Sequence, residues 1–497
     1  MEKSMKIKLS AYGLISAAGF TYLMLVDYPG ISVAVYAVLQ FVSIFYVTRN
    51  REEVKNAKAL YMFVPIFILS LNYYISGSFL WALPNMLCIL LLYSSMILIM
   101  TDNFPIRELS LKFIFNILEH VFVPLKNFSV PFKWIGSYTR DDDKRQLHRR
   151  IWLGILISLP CVIFLLMMLS SADMVFSSKV DSTLGWFFDA LNIDYMFRAA
   201  FGALAGLYLF SLLYIVFEVK NEAAEKNKLI MLNEVPRPMS KDTVVINILM
   251  FSILTVYTLF IFIQFKYLFA GSSLPDNMNY SEYARRGFFE LIFLSILNVG
   301  LILMTVYLFK ENIYVNKDKW STVTKICMMY LCAVTFIMLV SSFYRMYLYD
   351  QEYGFTRLRV LVYGFLIFET AGLFMTLLFV NKPRFNIVAV YTLIGLCYYL
   401  CLNVIPIDYV IAKRNVDMYL THETKSIDID YLMSLSVDAA PQIWRLKDNM
   451  DADIMTRYKT DQYFENIREQ YADRDDWRSS NYAVERALKI TGNIVSK

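Results

Sequence analysis

Eleven long apolar stretches punctuate the chain, at 9–26, 31–48, 59–76, 80–100, 151–171, 199–217, 244–269, 287–309, 323–343, 358–380 and 386–405. Each is near the ~20 residues that an α-helix needs to cross a hydrocarbon core. In that medium no water reaches an unpaired N–H or C=O, so a crossing segment must close its hydrogen bonds internally. Strands of a membrane barrel would alternate apolar and polar residues over about ten positions, and these runs do not alternate. The expected fold is all-α: a polytopic transmembrane helical bundle over 1–405, followed by a small polar helical tail over 406–497. Only 18% of the residues are charged, against about 25% in a soluble chain. The lipid bilayer is therefore the first partner to assign.

The first stretch follows Lys3, Lys6 and Lys8. It is longer than the apolar region of about 7–15 residues in a cleaved signal, and the next span begins only a few residues later, so it reads as an uncleaved helix. All six cysteines (Cys88, Cys161, Cys327, Cys332, Cys397 and Cys401) fall inside spans, none in a CxxC pair, and His120, His148 and His422 are scattered. That pattern provides neither a disulfide framework nor a metal site, and it indicates no cofactor. The net charge of +5 reflects loop residues and gives no case for nucleic acid.

Those loop residues set the sidedness. Arg49, Arg51, Lys55 and Lys58 occupy one connection, and Arg140, Lys144, Arg145, Arg149 and Arg150 end another. Lys220, Lys226, Lys228, Arg237 and Lys241, then Lys310, Lys317 and Lys319, then Lys382 and Arg384, fill the further alternate loops. The connections 27–30 and 77–79 carry none, and 172–198 has only Lys179 and Arg198. By the positive-inside rule the first set faces the cytoplasm. The N-terminus is then inside and, with eleven spans, the tail is outside. The tail's balance is acidic, with 13 Lys and Arg against 16 Asp and Glu, and helices are expected near 428–447, 454–471 and 482–490. Between the fourth and fifth spans, Ile106, Leu109, Phe113, Ile117, Val121 and Phe122 line one side of a helix over 106–125, opposite Arg107, Glu108, Lys112, Glu119 and His120. It reads either as a cytoplasmic interfacial helix or as one packed beneath the bundle. Gly202 and Gly206 permit close helix approach, read as internal packing, and Pro65 and Pro160 are expected to kink their spans.

A charge at mid-depth costs at least ~2.5–3.5 kcal/mol on insertion scales, so polar residues within spans are informative. Glu369, Asn298 and Gln40 each sit halfway along a span. A protonated Glu369 hydrogen-bonded to Asn298 is expected, read either as a proton- or ion-linked site or as interhelical glue; glue is preferred because no second acid shares that depth. A richer set gathers toward the outer face: Asp173, Glu282, Arg285, Arg286, Glu290, Arg345, Arg357, Arg359 and Asp408. Arginine on an outer loop opposes the inside bias and needs anionic company, with Asp173, Glu282, Glu290 and Asp408 as candidate partners. The cluster reads as a structural ion-pair network or as a ligand pocket accepting carboxylate or phosphate.

These outer motifs carry a resemblance. Residues 170–176 (SSADMVF), 280–291 (YSEYARRGFFEL), the stretch 345–359 ending YGFTRLR, the tail from Asn415 through 427–432 (IDIDYL) to 438–441 (DAAP), and 477–481 (WRSSN) with Arg486 and Ala487 resemble a family of bacterial membrane proteins. It is known only as a domain of unknown function of the 4153 and 4173 type. The resemblance runs from about residue 150 onward, and the first four spans share only hydrophobicity. It implies a multi-pass protein of the bacterial cell membrane and carries no activity, cofactor or catalytic residue.

No GxSxG, HExxH, P-loop or GxGxxG pattern is present, which leaves an enzyme the least supported class. The preferred reading is a sensor or accessory protein with an outward-facing polar site for a ligand or protein partner. The alternative is a secondary transporter or channel using Glu369, although neither an internal repeat nor paired broken helices are evident.

Overall fold

The computed structural model describes residues 3–49, 51, 54, 56–100, 111–136, nine scattered positions between 154 and 179, 193–218, 243–264, 288–315, 319–421, 427–447, 454–471, 474 and 476–492. Among them no strand occurs, and nine helices are long and apolar enough to cross a membrane. The chain is an all-α polytopic bundle. Its membrane part comprises α1 (Lys3–Leu23), α2 (Ile31–Thr48), α3 (Phe63–Ile75, entered through a 3-10 turn at Ala57–Met62) and α4 (Ala82–Met100). Two short helices follow, α5 (Leu111–Phe122) and α6 (Val130–Gly136). Then come α7 (Ile193–Glu218), α8 (Thr243–Gln264), α9 (Phe288–Lys310), α10 (Ser321–Tyr353), α11 (Arg357–Asn381) and α12 (Ile387–Val404). Most of the expected span 151–171 lies outside the described residues, as do positions 106–110. Helix α1 forms as expected but is not among the nine, since Lys3, Lys6 and Lys8 occupy its first turns.

Helix α10 departs from expectation. Its 33 residues extend ten beyond the span read at 323–343, a length of about 50 Å at 1.5 Å per residue, well over the ~30 Å hydrocarbon core. Nothing in 344–353 breaks a helix. The stop comes at Gly354, whose φ of 70° is the left-handed conformation that glycine adopts without a Cβ penalty.

Two hydrophobic cores share the membrane part. Leu9, Tyr12, Ile66, Leu69, Met96 and Phe210 build the first from α1, α3, α4 and α7, with α2 contributing Ala37 and Ile44. Met250, Ile302, Met328, Leu331, Leu366 and Leu373 build the second from α8 to α11. Helix α12 stands between them: Leu396, Tyr399 and Leu400 lie on the first core, while Tyr398 stacks on Phe368 of α11 at 5.1 Å.

Helices α1 and α7 approach each other closely. A Cβ at Gly206 would lie 2.5 Å from Ala17 Cβ and 2.7 Å from Gly13 O, and one at Gly202 would collide with Thr21. Small residues on both helices therefore let the backbones touch, the usual device where lipid leaves helices no hydrophobic drive to associate. Helix α5 packs on α4, and its last turn reaches the middle of α7, where the Tyr208 hydroxyl donates to Val121 O at 3.0 Å. Val130 of α6 enters the first core, and Trp134 meets Phe210 edge-on at 5.5 Å. Leu118 and Phe122 remain exposed, so this segment both packs on the bundle and leaves an apolar face free.

After Pro406 the chain forms a cap. Helix α13 (Ile407–Leu420) was not foreseen from the sequence; α14 (Ile429–Met433), α15 (Ala440–Lys447), α16 (Ile454–Tyr471) and α17 (Tyr482–Gly492) fall on the expected helical segments. Ile411, Val416, Leu432, Ile443, Phe464 and Ala487 give them a third core. The cap meets the connections after α1, α3 and α10. The amino groups of Lys6 and Lys8 lie over Trp134 and Tyr46 at the opposite end.

The α1–α7 contact yields a paired prediction. Gly206→Ala should lower the apparent melting temperature of the detergent-solubilised protein, because overpacking a backbone contact costs about 1–3 kcal/mol. Gly300→Ala, whose Cβ would meet nothing within 4 Å, should be neutral or stabilising, since alanine gains up to about 1 kcal/mol of helix propensity.

Candidate functional site: the seam beneath the cap and the buried polar groups

Arg357 opens α11 and Asp408 lies in the first turn of α13. The guanidinium donates from Nε and Nη2 to the two carboxylate oxygens, each at 2.7 Å. This fork is the strong, directional form of an Arg–carboxylate contact. Asp408 is 4% exposed and also accepts from Ser436 N at 2.9 Å. Burial works to raise its carboxyl, but the bonds from Arg357 and Ser436 and the arginine charge outweigh it and hold it below the usual carboxylate range. The backbone N–H of Arg357 donates to Tyr431 Oη at 2.8 Å, so one residue is tied to both α13 and α14.

Ser436 continues the seam. Its hydroxyl donates at 2.9 Å to Asp438 Oδ2, which also accepts from Ser76 Oγ at 2.8 Å and Gly77 N at 3.1 Å beyond the end of α3. Burial pushes the Asp438 carboxyl up; the Ser76, Ser436 and Gly77 hydrogen bonds oppose this, and the charge of Asp408 adds to it. Farther along, Asn481 Nδ2 donates to Tyr73 O and Ser76 O at 2.9 and 2.8 Å. Ile31 N donates to Ser480 O at 3.1 Å. Arg478 Nη1 reaches Tyr22 O at 2.7 Å, and the Arg474 guanidinium lies 3.8 Å from the centre of the Tyr28 ring.

On the other flank Asn415 clasps Phe355, accepting its N–H at 2.7 Å and donating to its carbonyl at 2.9 Å. Arg359 donates to Gly354 O, approaches Asp350 at 3.5 Å and covers the Tyr349 ring at 4.2 Å. Beneath the seam, three buried asparagines join α3, α4 and α12. Asn72 Nδ2 donates to Asn403 O at 2.6 Å, Asn85 Nδ2 donates to Asn403 Oδ1 at 2.7 Å, and Tyr399 Oη donates to Asn85 Oδ1 at 2.7 Å. The crevice lined by Asn72, Trp81, Arg357, Asp408 and Asp438 holds about 10 Å³ of space, room for about one water.

The arginines and acids singled out from sequence thus have different fates. Arg357, Arg359 and Asp408 meet in or beside the seam, where cap and bundle groups occupy them. Arg345 is buried on α10, whereas Glu290 and Asp173 are exposed. Glu282, Arg285 and Arg286 lie outside the described residues. Asp350, Ser76, Ser436, Asn72 and Asn85 were not foreseen as site residues, and Asp438 only as part of a motif.

Within the membrane, Gln40 Oε1 accepts from Tyr12 Oη at 2.9 Å and Ser16 Oγ at 3.3 Å. The expected bond between Glu369 and Asn298 is not made. Asn298 is occupied by Tyr257, which donates to its Oδ1 at 2.9 Å, and by Thr335, to which it donates at 3.1 Å. Glu369 instead meets Ser295 at 2.5 Å. Ser295 and Asn298, three apart on α9, share a face, and it is the serine that stands at the depth of Glu369.

The two aspartates should respond oppositely to neutralisation. Asp408 has its carboxyl held low, so its contribution is present above the ordinary carboxylate value of about 3.9 and is lost as pH falls through the still lower folded value. Asp438, held high, is penalised when charged, so protonating it relieves the cap. Asp408→Asn at neutral pH should weaken the cap by about 1.5–3 kcal/mol, the range for hydrogen bonds to a charged group. Asp438→Asn, which keeps an acceptor oxygen, should cost little. Amide hydrogen exchange across 427–447 reads the difference.

A family model described as a domain of unknown function, DUF4153, matches residues 63–446. The match starts at α3, so it takes in two spans that the sequence motifs alone had linked to the family only by hydrophobicity, and it ends before the 477–481 motif. No curated protein and no solved structure matches the chain. With most of its length covered, this multi-pass membrane protein belongs to the DUF4153 family.

Proposed function

We propose that the protein is a sensor or accessory protein of the bacterial cell membrane, in which residues 1–405 form the embedded bundle and 406–497 an extracytoplasmic cap that engages a partner or ligand. One observation carries this reading: the cap is hydrogen-bonded to both membrane cores. It holds the first through Ser76, Gly77, Tyr73 and Ile31 and the second through Arg357 and Phe355. A molecule that binds the cap and favours one placement of it biases both halves together, which is what coupling an outer site to a membrane domain requires. Arg357 and Arg359, two of the arginines suited to a small anion, are engaged with protein groups, which favours a protein partner on the cap's outer surface over a solute in the seam.

The orientation rests on charge. Among the described residues Lys3, Lys6, Lys8, Arg49, Lys310 and Lys382 stand at helix ends away from the cap, which by the positive-inside rule supports an N-terminus in the cytoplasm and a cap outside.

Two measurements test the proposal. A protease-cleavable tag after Lys497 should be cut on intact spheroplasts; cleavage only after permeabilisation would reverse the orientation. Photo-crosslinkers at Tyr458 and Trp477, which are 58% and 50% exposed, should trap one defined extracytoplasmic species in native membranes, and Arg357→Ala should reduce that adduct several-fold. Protein-dependent solute flux in proteoliposomes, with no such adduct, would replace this reading with transport.

A further inference from the structure

The second core contains a group that the cap does not use. Glu369 is 6% exposed, halfway along a helix that crosses the membrane, and among the described residues it makes no ion pair. Its Oε1 lies 2.5 Å from Ser295 Oγ, while its Oε2 is buried without a hydrogen-bond partner. Ser295 Oγ also lies 2.7 Å from Ile292 O. A serine hydroxyl has a single proton to give, and a carbonyl oxygen only accepts. The arrangement that fills both contacts has Glu369 donating to Ser295 and Ser295 donating to Ile292. That requires a carboxylic acid. A carboxylate would place half of its charge on an oxygen with no donor, in the medium where an uncompensated charge is most costly.

The surroundings are polar but neutral. Among the described residues, the titratable groups nearby include Tyr391 of α12 and Cys332 of α10. Tyr391 is hydrogen-bonded to Thr376 at 2.8 Å and packs on Gly372, where a Cβ would come within 2.7 Å of its ring. Tyr257 of α8 is engaged by Asn298. The charged residues of α9, Glu290 and Lys310, stand at its two ends.

We propose that Glu369 and Ser295 form a proton-binding site inside the bilayer, at which Glu369 holds a proton at neutral pH and exchanges it with the aqueous phase. Its ligand is the proton itself, not a metal cation, because the acid and its serine already complete one hydrogen-bond chain and the described residues supply no second carboxylate there.

The test is infrared spectroscopy of the full chain in lipid, as wild type minus Glu369→Gln. Glutamine is the neutral isostere and can donate to Ser295 as the acid does, so the variant should fold. At neutral pH the difference spectrum should show a carboxylic-acid C=O band that shifts in D2O. Raising the pH should remove the band reversibly, with the acid fraction falling roughly tenfold per pH unit past the midpoint. A carboxylate signature at neutral pH overturns the proposal. So does an acid band that stays unchanged until the protein unfolds, since that is a structural hydrogen bond, or one displaced by Na⁺ at fixed pH. Should Glu369→Gln fail to fold, dicyclohexylcarbodiimide provides the readout on unmodified protein. It labels protonated carboxyls in apolar surroundings, and an adduct on Glu369 at neutral pH that declines in alkali is expected. Absence of that adduct overturns the proposal.

Discussion

The fork between Arg357 and Asp408 fixes where the membrane bundle stops and the cap begins. Each partner stands in the first turn of a helix, and the aspartate is almost completely buried. A buried carboxylate needs all its lone pairs met, because the desolvation cost of the charge exceeds what one imperfect contact returns. Arg357 and Ser436 supply three donors between them, and so bring the start of α11, the start of α13 and the turn after α14 to one point. Asp438 then extends the same set of bonds to the end of α3. The cap's third core packs on Trp81, Leu361 and Leu402 of the bundle, and this chain of charged and polar contacts adds the directional part of its placement.

That placement matters because the membrane part is not a single core. Lipid tails are as apolar as leucine, so two helical groups in a bilayer gain little from simply touching, and small residues or polar contacts must supply the specificity. Within the first group the glycines of α7 against α1 do so. Between the groups the work falls to α12, through its asparagine and tyrosine contacts with α3 and α4, and to the cap. Removing the cap's bonds to either side would leave α12 as a link within the membrane among the described helices.

Hydropathy made the spans legible because the cost of an unpaired backbone in hydrocarbon is paid locally, segment by segment, and shows as runs of about twenty apolar residues. Local signals failed where the cause was not local. Helix α13 follows a proline and is charged, so it read as the exit from the bundle, yet Ile411 and Val416 on its inner face are fully buried in the cap. Helix α10 overran its span because its last ten residues are polar enough to end an apolar run without containing a helix breaker. In the seam, Ser76 and Asp438 are 362 positions apart, and Asn72 and Asn403 are 331 apart. Their residue types are common, and no spacing rule links them. Arginines facing outward did signal that anions would be nearby, but not which of the available acids each would take.

Gln40 and Glu369 were read alike from sequence, as polar residues at mid-depth, and the structure separates them by counting protons. Gln40 accepts from Tyr12 and exchanges bonds with Ser16, so its amide has partners on both its oxygen and its nitrogen. Such a set holds α1 and α2 together and has nothing left to titrate. Glu369 has one partner where a carboxylate would need several, and that partner's single proton is shared between it and a backbone carbonyl in reach at 2.7 Å. A side chain kept for adhesion alone would serve as well, or better, as glutamine, which brings two donors and no risk of a buried charge. An acid with a single neutral partner and one bare oxygen is poor glue. Its distinguishing property is that the proton completing its only bond can leave.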